Sequence, residues 1–130
     1  MKPDAPTERA VQRAILRMAG ECYPTVLIVH VPNGSHLAGN ARARGMQMGA
    51  LKGDGLKVGF PDLLCLWNRG VALIEVKRPG GKASDAQEAM HHLLAEMGHA
   101  PAIVTSPTEA YAFLLERGAP CRVKDWKEGS

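Results

Sequence analysis

The amino-acid sequence predicts a single α/β domain, and three observations carry that expectation. Stretches with apolar residues at helical spacing and recognisable caps alternate with short runs rich in β-branched residues. At 130 residues the chain is long enough for one hydrophobic core. Its 45% hydrophobic and 22% charged content is that of an ordinary globular protein and argues against wholesale disorder.

Taken in order, Thr7 caps a first helix from Glu8 to about Met18, with Pro6 before it and Gly20 after it as the stop. Ala10, Val11, Ala14, Ile15 and Met18 give that helix one buried stripe. Thr25–Val31 reads as a buried strand ended by Pro32-Asn33-Gly34. The stretch from Ser35 to Gly59 is glycine-rich, with a short helix in its middle, from Asn40 to Leu51. Asp62–Trp67 and Val71–Lys77 are two strands joined by a turn around Asn68-Arg69-Gly70. Ser84 caps the next helix, with Gln87 as capping-box partner and Gly98 as the stop. Ala102–Thr105 is a short strand, and Ser106-Pro107 opens a last helix that ends at Gly118. The whole chain, 1–130, is expected to be one domain with its core in 7–118 and a polar tail, 119–130, that holds Trp126 and no assigned element.

Composition narrows the function. No apolar run is long enough to span a bilayer, and the first residues lack the apolar core of a signal peptide. Cys22, Cys65 and Cys121 are odd in number and far apart, with no Cys-x-x-Cys pair, so a reducing, cytoplasmic setting is expected. A net charge of +3 permits nucleic-acid binding without announcing it. The positions of the charges say more. Arg42, Arg44, Lys52 and Lys57 precede Asp62, and Lys77, Arg78 and Lys82 close the second strand of the pair, so positive charge brackets the acidic positions as a phosphate backbone would require.

Those acidic positions are Gly59-Phe60-Pro61-Asp62, at the mouth of an apolar run, and Glu75-Val76-Lys77, at the end of the next. A two-residue turn at Arg69-Gly70 pairs Asn68 with Val71 and sets Asp62 opposite Lys77 on one face, with Glu75 diagonal to it; a three-residue turn without a bulge sends Asp62 to the other face. Glu75 and Lys77, two apart in a strand, share a face. Asp62, Glu75 and the Val76 carbonyl offer three oxygens to Mg²⁺ or Mn²⁺ and leave positions for phosphate and water, which Lys77 would orient. Ordinary structural roles compete at several positions. Asp62 suits a turn, Glu75 and Lys77 an ion pair, Glu8 the first turn of a helix dipole, and Gln87 a capping box. Gln12, one turn beyond Glu8, is its rival or helper. His91, His92 and His99 lack the company of a zinc site and read as surface or core histidines. Lys52 is followed by Gly53, not Ser or Thr, so no nucleotide cofactor is expected. Asn33 and His36 lie near the substrate path, although a Pro-Asn-Gly turn needs no function.

On Glu8, Pro32-Asn33, Gly59-Phe60-Pro61-Asp62-Leu63, Glu75-Val76-Lys77 and Gln87, the chain resembles the virus-type replication-repair (VRR-NUC) family of the PD-(D/E)XK nuclease superfamily. The resemblance runs from Thr7 to Gly118 and implies a restriction-endonuclease-like fold, a mixed central sheet flanked by helices. It implies a Mg²⁺- or Mn²⁺-dependent endonuclease, encoded by a bacterium or phage, with catalytic Glu8, Asp62, Glu75, Lys77 and Gln87. Asn33, Arg42, Arg44, Lys52 and Lys57 would meet DNA. Stand-alone members look like homodimers that resolve four-way (Holliday) junctions, so a homodimer acting on branched DNA is the expected form. Rival readings are a nuclease of broader flap or duplex specificity, a non-catalytic nucleic-acid-binding module, and a hydrolase of small phosphoesters.

Overall fold

A computed structural model describes residues 5–32 and 37–129. Helix α1 (Glu8–Cys22) starts where the Thr7 hydroxyl accepts the Ala10 N–H at 3.1 Å. It buries Val11, Ile15, Met18, Ala19 and Cys22, whereas Ala10 stays exposed. The helix does not stop at Gly20. Burial of Ala19 and Cys22 carries it beyond the predicted stop, at a propensity cost of about 1 kcal/mol for the glycine.

Strand β1 (Leu27–His30) is followed by α2 (Ala41–Gly53), capped by the Asn40 side chain, which accepts the Ala43 N–H at 2.9 Å. Strands β2 (Leu63–Trp67) and β3 (Gly70–Val76) form a hairpin. Helix α3 (Asp85–Glu96) then carries the chain to β4 (Ala102–Val104), which lies parallel to β3. Helix α4 (Pro107–Glu116) closes the series. The sheet order is β1-β2-β3-β4, with antiparallel pairs up to β3, so the sheet is mixed. One face supplies Leu63, Cys65, Ala72, Ile74 and Val76 to a core shared with α1 and α4. Among the described residues, no helix is long and apolar enough to cross a membrane.

Two expectations need correcting. Strand β1 is not buried. It lies at the sheet edge, with Leu27 62% and Val29 39% exposed, because among the described residues no element covers that face of it and its apolar composition alone cannot report that. The hairpin turn is also one residue earlier than expected: Trp67 pairs with Gly70, leaving Asn68-Arg69 as the two turn residues. Arg69 takes the left-handed conformation, φ 67°, while Gly70 serves the strand, since a Cβ there would collide with the Trp67 indole. The turn still has an even length, so the face is preserved, but continuing the register sets Asp62 opposite Glu75 instead of Lys77.

The tail after Gly118 is packed, not loose. Arg122 N–H donates to the Cys22 carbonyl at 2.7 Å, and the Tyr111 hydroxyl donates to the Val123 carbonyl at 2.8 Å. Trp126 lies against Tyr111 with ring centroids 5.8 Å apart. The tail therefore packs on α1 and α4.

Candidate active site

The two strands of the hairpin deliver the acidic pair. Asp62 stands just before β2 and Glu75 one residue before the end of β3, so the register brings their side chains to one face at one end of the sheet. Asp62 Oδ2 accepts the Val76 N–H at 2.8 Å, which locks the carboxylate across the hairpin. In an antiparallel pair the N–H and C=O of one residue point to the same neighbour, so the Val76 carbonyl faces the Asp62 side. Gly59 makes the approach possible. With φ 83°, it lies so close to the first turn of α3 that a Cβ would strike the Ala86 carbonyl.

Helix α3 reaches the same point. Ser84 and Gln87 form the expected capping box, Ser84 N–H donating to Gln87 Oε1 at 2.9 Å and Gln87 N–H to Ser84 Oγ at 3.2 Å. The Gln87 side-chain NH₂ also donates to Glu75 Oε2 at 3.2 Å, so the cap and a site role coexist in one amide. One helical turn on, His91 Nε2 lies 3.4 Å from Glu75 Oε1. His92, its neighbour, has a side chain 80% exposed and pairs with Glu96, because adjacent positions on a helix face different ways.

Glu75 is 1% exposed. Burial first, then its hydrogen bond and repulsion with Asp62, push its carboxyl up to about 9, against a smaller pull from Lys77. Glu75 does not pair with Lys77. That lysine, 7% exposed, is held by the backbone bond from its N–H to the Val104 carbonyl at 2.9 Å and directs its ammonium to Glu8, with Nζ 3.8 Å from Oε1. Glu8 thus joins the cluster from the start of α1. Gln12 does not join the acidic pair; its amide nitrogen sits 3.2 Å from His30 Nδ1.

Sequence reasoning therefore named Glu8, Asp62, Glu75, Val76, Lys77 and Gln87, and these six converge. It read His91 as a surface or core histidine without a part in the site, although the spacing of one helical turn from Gln87 was readable. Arg42, Arg44 and Lys52 lie on α2, which has no buried residue, and Lys57 is exposed in the loop that follows. The Arg44 guanidinium donates to the Gly39 carbonyl at 2.9 Å. Asn33 and His36 lie outside the described residues.

Two facing carboxylates, one buried and reluctant to ionise, make a place where a divalent cation would replace a proton. Among the described residues no three His, Cys, Asp or Glu side chains converge as a metal-binding group. The oxygens at hand are the Asp62 and Glu75 carboxylates and the Val76 carbonyl, donors of the kind that Mg²⁺ or Mn²⁺ takes.

A mixed four-stranded sheet with four helices, carrying a carboxylate pair and a lysine at one end, is consistent with a nuclease-like fold. The family model of the VRR-NUC domain matches residues 7–107, and the chain belongs to that family. Membership implies nuclease activity, with DNA as the substrate that such a domain implies. No curated protein matches the chain.

Proposed function

We propose that this protein is a Mg²⁺- or Mn²⁺-dependent endonuclease that cuts four-way DNA junctions as a homodimer. The observation that carries the catalytic part is Glu75, a buried carboxylate set against Asp62 with Lys77 beside the pair. Asp62, Glu75 and the Val76 carbonyl would hold the cation, which when bound offsets the negative charge developing on the phosphate and acidifies water. Lys77, anchored by Val104 and Glu8, would position the attacking water and offset negative charge. Gln87 keeps Glu75 oriented from α3, and Glu8 sets the lysine's direction. Arg42, Arg44, Lys52 and Lys57 would follow the phosphate backbone with their positive charge.

The junction preference rests on the family resemblance. The dimer has support of its own. Leu27 and Leu66, cross-strand partners at one edge of the sheet, are 62% and 37% exposed, and Ile103 at the other edge is 47% exposed. Two copies would also provide the paired sites that symmetric cutting requires.

The deciding experiment incubates a labelled four-way junction, a flap and a plain duplex with the protein, in Mg²⁺, Mn²⁺ or chelator. Paired, symmetric, metal-dependent cuts in the junction alone are expected. Metal-dependent cutting of all three would retain the nuclease and remove the junction preference. Binding without cutting in any metal would make the chain a non-catalytic module.

A further inference from the structure

Neither the family match nor the motif residues give His91 a task, yet its side chain is only 13% exposed and faces the most buried carboxylate of the site. Its Nε2 approaches one oxygen of Glu75 at 3.4 Å while the Gln87 amide occupies the other at 3.2 Å. The two nitrogens stand one helical turn apart on α3 and so move as one rigid unit. Each carboxylate oxygen retains a lone pair beyond the one so engaged. The clamp can thus fix the plane of Glu75 and still leave it able to bind a cation.

We propose that His91 is a positioning residue of the metal centre, donating from Nε2 to Glu75 so that this carboxylate is preset for a divalent cation. The proposal rests on the metal-nuclease reading above. With a cation bound, Glu75 is ionised and can only accept, so Nε2 must carry a hydrogen. Orienting partners of this kind typically contribute about 10- to 100-fold in metal affinity. Substituting them loosens the ligand without removing it.

The test titrates Mn²⁺ into the wild-type protein, His91→Leu and His91→Gln, reading the free ion by electron paramagnetic resonance, with no DNA present. His91→Leu keeps apolar volume and removes the donor; His91→Gln keeps an N–H donor. Expected are a Kd about 10-fold or more weaker in His91→Leu and recovery of most of that loss in His91→Gln. Equal affinity in His91→Leu and wild type overturns the proposal and leaves the metal site standing. Equal weakening in both variants also overturns it, since packing alone would then account for the effect. No Mn²⁺ binding by the wild type overturns the site reading and this proposal together. A second measurement needs no variant: long-range ¹H–¹⁵N spectra of the wild-type imidazoles with Mg²⁺ should show His91 protonated at Nε2. A bare Nε2 refutes the donor role.

Discussion

Replacing Glu75 by glutamine should make the metal-free protein more stable, relative to wild type, as pH rises, and the size of the effect follows from burial. The Glu75 carboxyl is 1% exposed and titrates near 9, against 4.5 in an unfolded chain. Its folded pKa is raised, so its favourable contribution is complete below 4.5, declines as pH rises, and is gone once pH passes about 9. By pH 7 the accumulated loss is about 3 kcal/mol, growing by about 1.4 kcal/mol per pH unit. The glutamine of Glu75→Gln fills the same space and carries no proton to lose. One of the two donors on α3 then meets the new NH₂ group in place of an oxygen, a pH-independent cost of about 1 kcal/mol. The assay is urea unfolding of both proteins in chelator at several values between pH 5 and 8.5. The stability of Glu75→Gln minus that of wild type should climb steadily with pH, and excess Mn²⁺ should stabilise the wild type preferentially. Parallel stability curves across that range would refute the reasoning, because Glu75 would then be ionised in the fold without strain.

Three other outcomes are expected. Lys77→Met, which keeps the buried volume, should lower junction cleavage by about 100-fold or more while leaving the junction Kd near the wild-type value; equal loss of both would remove Lys77 from the chemistry. The double substitution Arg42→Ala, Arg44→Ala should make DNA binding less salt-dependent, lowering the slope of log K against log salt by up to about 2, so the weakening is greatest at low salt; an unchanged slope would take α2 away from the DNA. Gly59→Ala should cost about 2–4 kcal/mol in thermal or urea unfolding, because φ 83° and the Ala86 carbonyl both oppose a Cβ there, and a variant as stable as wild type would show that α3 can retreat.

Opposite demands on Glu75 and separate anchors for Lys77 let these tests separate cleanly. Glu75 is stabilised in one protonation state for folding and needed in the other for a cation, so stability and metal loading report on the same carboxylate in opposite directions. Lys77 is coupled to the pair through space, but its anchors, the Val104 carbonyl and Glu8, are its own.

What the sequence determined by itself was local. Thr7, Ser84 and Ser106 mark helix starts because a side-chain oxygen can accept a nearby N–H whatever the rest of the chain does. Asp62 and Glu75 were legible as a pair because a strand's period and an even turn preserve the face. The tertiary structure decided what depends on partners distant in sequence. It carried α1 past Gly20, since burial against the core outweighs one glycine's propensity. It left β1 at an open edge, because a strand's apolar composition does not say how many of its faces are covered. It moved the turn to Asn68-Arg69, where packing of Trp67 over Gly70 outweighs the left-handed cost at Arg69. And it gave His91 to Glu75: helical spacing placed that histidine beside Gln87, but only the packing of α3 against the end of β3 turned the shared face toward a buried carboxylate.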